Sequence, residues 1–176
     1  MRYRIIEQVG ARRKFVLVLE AGEEVTEAVT HFATELDVEG ASLTGIGALS
    51  SARLGWFNPA TQEFRENVID EQAEVLAITG NIATGLPGEA DGHAHVHGAG
   101  RVRLHMHVSL GLRDASVRGG HFVAGVVSPT MELIVSEAEA HLVRGVDAVT
   151  GLILLEPRQP CPHSLACPDS AVRAAS

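Results

Sequence analysis

Residues 101–110, RVRLHMHVSL, alternate strictly between polar and apolar side chains. Arg101, Arg103, His105, His107 and Ser109 fall on one side of the chain; Val102, Leu104, Met106, Val108 and Leu110 fall on the other. A two-residue period belongs to a strand with one face in the core and one face out of it. The stretch therefore places a sheet at the centre of the protein. It also sets His105 and His107 side by side on the outward face, about 6–7 Å apart.

Two imidazoles projecting from one rigid strand can act as neighbouring metal ligands. Downstream, Gly119-Gly120-His121 heads the apolar run Phe122–Val127. The two glycines are expected to turn the chain back and deliver His121 beside the pair. Three neutral imidazoles with a fourth position left to water form the donor set of a catalytic rather than a structural zinc site. His-x-His is nevertheless short and common, and a histidine on a polar strand face is usually solvated. Spacing nominates this site and carries the argument no further.

The rest of the chain reads as more sheet and one helix. Phe15–Leu19 is a short apolar run, expected as a buried strand and approached by Arg12-Arg13-Lys14. Val25, Ala28, Val29, Phe32 and Leu36 recur at intervals of three and four, the stripe of a helix over 22–38. Glu23 and Glu24 in its first turn complement the helix dipole, and Gly40 is a stop signal. Ala41–Ile46 and Ala52–Phe57 are expected as two strands with a tight bend at Gly45 and Gly47. Asn58-Pro59-Ala60-Thr61 then turns the chain into Glu63–Ile69. Glu74–Ile82, Phe122–Val127, Met131–Val135, Ala140–Val143 and Thr150–Leu155 are further strands, the second and third separated by Ser128-Pro129-Thr130. One helix and eight to ten short strands give an α+β class, with a largely antiparallel sheet packed on one main α-helix. A single helix covers only part of one sheet face, so the uncovered face and the sheet edges call for a homo-oligomer.

Two stretches break the pattern. Residues 84–100 are Gly-rich and carry His93, His95 and His97; they read as an extended loop or a protruding hairpin arm whose trio repeats the His-x-His pattern and could bind metal, although a flexible segment has ordering entropy still to lose, which favours opportunistic binding. Residues 158–176 read as a tail beyond a single domain over 1–157. Its Cys161, His163 and Cys167 lack an evident fourth ligand, and both cysteines of the chain lie there, so no disulfide framework holds the core.

Charge limits the partners. Fourteen Lys and Arg stand against 22 Asp and Glu, for a formal net charge of -8, so a nucleic-acid partner would need a local cationic patch. No run of about 18 apolar residues occurs, and MRYRIIEQVGARRKF lacks the apolar core of a signal peptide. A cytoplasmic protein with no membrane partner is expected.

The order FVLVLEAGEEVTEAV, LTGIGALSSARLGWFNP, EVLAITGNI, LHMHVSL, GGHFVAGVV, MELIV and D-x2-TGLILL resembles the PPC (plants and prokaryotes conserved) domain from about Phe15 to Leu155. The resemblance implies an antiparallel sheet packed on a long helix, assembled as a homotrimer. It implies that His105, His107 and His121 hold a metal, most often Zn2+. The fold is also similar to that of acetolactate decarboxylase, which uses a three-histidine zinc. Plant members join the domain to Arg-Gly-Arg-Pro AT-hooks; none is present here, so their DNA-binding role is not carried over. Residues 84–100 also look longer than the usual connection.

These readings lead to three functions. The first is a metal-dependent hydrolase or lyase acting on a small carbonyl compound, ester or acid. A three-histidine zinc polarises a carbonyl or lowers the pKa of water toward about 7. Glu132, from the MELIV strand, is the candidate general acid or base, and Arg103 or Arg118 the candidate grip on a substrate carboxylate. The second is a DNA-binding regulator without an AT-hook, and the third a non-catalytic trimeric scaffold. No P-loop, GxGxxG or nucleophile motif suggests other chemistry.

Overall fold

A computed structural model describes residues 1–85 and 101–156. In chain order its elements are β1 (Arg2–Val9), β2 (Arg12–Glu20), α1 (Val25–Glu35), β3 (Ala41–Asn58), β4 (Glu63–Ile69), β5 (Ala73–Gly85), β6 (Val102–Gly111), β7 (Val117–Glu137), β8 (Val143–Val146) and β9 (Ile153–Leu155). Every strand pair is antiparallel except β5–β8. One sheet with one short helix is the α+β class expected. His93, His95 and His97, expected in a loop, and Cys161, His163 and Cys167, expected in a tail, lie outside the described residues.

The alternation at 101–110 is realised in β6. Leu104, Met106, Val108 and Leu110 are at most 4% exposed and form part of a single core. Four strands close a circuit around that core: β3 pairs β5, β5 pairs β6, β6 pairs the start of β7, and β7 pairs β3. Closure of this kind leaves the central strands without open edges. Helix α1 caps the core with Val25, Val29, Phe32 and Ala33, and Phe32 meets Phe15 of β2 edge-on at 5.1 Å.

Glycine is where the chain departs from expectation. Gly119 and Gly120 do not turn the chain; the turn is at Leu112–Ser116, and both glycines sit inside β7. Ala41–Ile46 and Ala52–Phe57 are likewise one 18-residue strand, β3, with register shifts in place of a bend. The physical reason is close approach. A Cβ on Gly119 would lie 2.7 Å from the Val108 carbonyl oxygen, and one on Gly45 would lie 2.3 Å from that of Glu132. These residues admit a neighbouring backbone, a use of glycine that needs no turn. Phe122–Val127 and Met131–Val135 also belong to one strand, β7, which runs through the cis Ser128-Pro129 bond.

The helix is shorter than 22–38, because Glu24 is its N-cap. The Glu24 carboxylate accepts from the Glu27 amide and, at 3.0 Å, from the Gly125 amide of β7. Strand β1 was not expected. Its residues are exposed throughout, so it carries no apolar period to read.

Candidate metal centre

β6 puts His105 and His107 on its outward face, as its alternation requires. β7 then brings His121 into direct register with His107, and directly opposed residues in an antiparallel pair share a face. The third histidine arrives by strand pairing. The ring centroids of the three imidazoles are 5.0–5.4 Å apart, and one nitrogen from each lies within 4.8 Å of the others. The Nε2 atoms of His105 and His107 are 3.2 Å apart. Two nitrogens about 2.0–2.1 Å from one ion at the tetrahedral angle would be about 3.3 Å apart. The donor set and its spacing fit a single transition-metal ion.

The cluster is graded in depth. His107 is exposed, His105 half-buried, and His121 only 6% exposed. On the far side of His121, β3 contributes Gly55, its direct partner. A Cβ on Gly55 would come within 2.0 Å of the Phe64 ring. Its absence lets Phe64 of β4 reach across and meet the His121 ring edge-on at 5.9 Å. Close packing of this kind fixes the orientation of the deepest imidazole.

The β5 side is polar. Asn81 is the direct partner of His105, and Thr79 of His107. Asn81 Oδ1 accepts a 2.5 Å hydrogen bond from Arg144 Nη2, while Arg144 Nη1 donates to the Ile153 carbonyl oxygen. Arg144 is 1% exposed, and burial pushes its pKa down to about 10. Sequence reasoning did not find Asn81, Arg144, Gly55 or Phe64. The one available signal was a polar residue inside an apolar strand, Asn81 in EVLAITGNI.

The other candidates divide. Arg103 stands two residues before His105 on the same face and is 4% exposed, with Nη1 donating to the Val102 carbonyl oxygen. Arg118 is exposed, and its odd offset from His121 puts it on the opposite face of β7. The structure does not bring Glu132 to the histidines. It lies eleven residues beyond His121 on β7, about 35 Å along an extended strand. There it is exposed and lines a groove of about 570 Å³ with Ile46, Glu74, Leu76 and Pro129.

Residues 6–139 match the model of the Plants and Prokaryotes Conserved domain. The chain belongs to this family. Several solved structures share the fold. A plant- and prokaryote-conserved protein of Pyrococcus horikoshii is 25% identical, with a TM-score of 0.71 over 88% of this chain and 100% of that one. A candidate DNA-binding protein of Bacteroides thetaiotaomicron is also 25% identical, at TM-score 0.71 over 88% and 96%. A metal-containing protein of Archaeoglobus fulgidus is 24% identical, at TM-score 0.69 over 88% and 96%. Acetolactate decarboxylase of Bacillus subtilis is distantly similar. No curated protein matches the chain. Among the described residues, no helix is long and apolar enough to cross a membrane.

Proposed function

We propose that this family member is a zinc-binding protein whose centre, His105, His107 and His121, acts on a small carbonyl compound, ester or acid as a hydrolase or lyase. The observation that supports it most is the convergence of three imidazole nitrogens within 4.8 Å from two adjacent strands. Imidazole suits zinc, copper, nickel and iron, and zinc is the metal proposed. When bound there, zinc supplies Lewis acidity. The chain itself holds three neutral nitrogen donors in place, shields His121 beneath Phe64, and leaves His107 open to solvent for entry.

The protein is read as a cytoplasmic homotrimer. Ile46 and Leu76 are more than half exposed on β3 and β5, and they border the groove that holds Glu132. Because Glu132 is remote from the histidines of its own chain, a part for it as acid or base requires a neighbouring protomer.

The test is metal content per chain, purified without a His-tag, for the natural protein and for His107→Ala. Stoichiometric zinc lost in the variant supports the reading, and its retention refutes it.

DNA binding is the alternative, favoured by the likeness to the Bacteroides protein. The charge of the surface argues against it. Within Arg12-Arg13-Lys14, Arg13 is paired with Glu137 and Lys14 with Glu7, which leaves little free cation for phosphates. Retention on heparin at moderate salt would favour this alternative.

A further inference from the structure

We infer that Asn81, locked in place by the buried Arg144, is a ligand-binding residue of the three-histidine centre, and that it takes a carboxylate oxygen of a small organic acid. The inference rests on the metal-centre reading above and adds to it the chemical class of what binds.

The placement follows from strand parity. β8 pairs β5 with Arg144 opposite Gly85. Two-residue steps back along β5 lead from Gly85 to Ala83 and to Asn81, all on one face. Their β6 partners on that face are Arg103 for Ala83 and His105 for Asn81. Arg144, Asn81 and the histidines therefore occupy one side of the sheet, and Asn81 adjoins the metal ligands directly.

The orientation of Asn81 follows from donor chemistry. A guanidinium has only donors, so the amide atom that meets Arg144 Nη2 must be the oxygen. The Asn81 NH2 group is then turned away from Arg144 with two hydrogens to give. Among the described residues nothing accepts them, and the side chain is only half-buried.

The charge of the ligand follows from Arg144. It is 1% exposed, its Nε has no hydrogen-bond partner among the described residues, and its Nη1 and Nη2 bonds go to neutral oxygens. A buried cation without a counter-charge is costly. Among the described residues no carboxylate pairs with Arg144, so positive charge beside the centre favours an anion, and the bond to Asn81 polarises the amide toward stronger donation.

The experiment uses the full chain loaded with Co2+, whose visible absorption reports what enters the centre. Acetate and neutral imidazole serve as the two probes. Asn81→Asp keeps a partner for Arg144, so the fold is retained while the donor is replaced by a carboxylate; Asn81→Ala removes the side chain. The expected result is acetate binding weakened at least tenfold in both variants, with imidazole binding within twofold of the natural protein. Acetate affinity within twofold in either variant overturns the assignment, and so does an equal loss of both probes. A natural chain that takes up no Co2+ overturns the metal-centre reading and this inference with it. A loaded chain whose acetate binding ignores Asn81 overturns this inference alone.

Discussion

His121 of β7 lies directly across from His107 of β6, so the third imidazole of the cluster is placed by sheet register. Register in a strand buried on one face resists slippage, because a one-residue shift would turn every core side chain outward. Phe122, 0% exposed, faces the core next to His121. The hydrophobic core therefore fixes the geometry of the histidines.

The metal should report that geometry. His105→Ala, His107→Ala and His121→Ala should each lose bound metal, whereas His95→Ala should keep it. Loading should fall below about pH 6, since protonated imidazole cannot coordinate. Elemental analysis of dialysed protein across pH checks both. Loss in His95→Ala but not in His107→Ala would move the site to His93, His95 and His97.

Gly119→Ala should damage the centre without touching a ligand. Its Cβ would press to 2.7 Å on the Val108 carbonyl oxygen, which is backbone and cannot swing aside. Strands β6 and β7 must part where they carry His107 and His121. Overpacking of this kind costs about 1–3 kcal/mol, and metal affinity should drop together with the melting temperature. Calorimetry and a metal titration on one preparation would test the coupling; a fall in stability with unchanged affinity would disprove it.

The histidines were legible because alternation fixes the face of a strand before its neighbours are known. The helix was legible from its apolar stripe, and its N-terminus less so, because Glu24 caps through a bond to Gly125, a hundred residues away. Gly45, Gly119 and Gly120 were misread as bends since a glycine admitting a backbone and a glycine making a turn look identical in one dimension. Arg144 and Asn81 escaped for a related cause: their bond joins β8 to β5, and only the parallel pairing of those strands shows it.

Acid should weaken the tie between β2 and β7. Burial pushes the Glu137 carboxyl up, but the hydrogen bonds and charge of Arg13 outweigh it, and the net shift is downward. Arg13 Nε donates at 2.8 Å to Glu137, and its Nη2 also reaches the Leu36 carbonyl at the helix end. A carboxylate depressed on folding adds stability above its ordinary range, about pH 4.3, and loses it as pH falls through the lowered value. Glu137→Gln should thus melt lower than the natural protein at pH 7, by an amount that shrinks toward pH 3. Paired melting curves at the two pH values decide it, and a constant gap would refute it.

Self-association should depend on the apolar groove beside Glu132. Ile46 is 58% exposed and Leu76 51% exposed, on neighbouring strands β3 and β5. Exposed apolar neighbours on a sheet mark a surface that another chain covers. A charge placed there leaves the interior untouched, because both side chains point away from the core, but it becomes costly once a second copy buries it. Light scattering at micromolar concentration should give about three times the 18.6 kDa chain mass for the natural protein. Leu76→Glu should give the mass of a single chain, with its circular dichroism unchanged. A natural protein that runs as a monomer would remove the trimer from the account, and with it any part for Glu132 at the histidine centre.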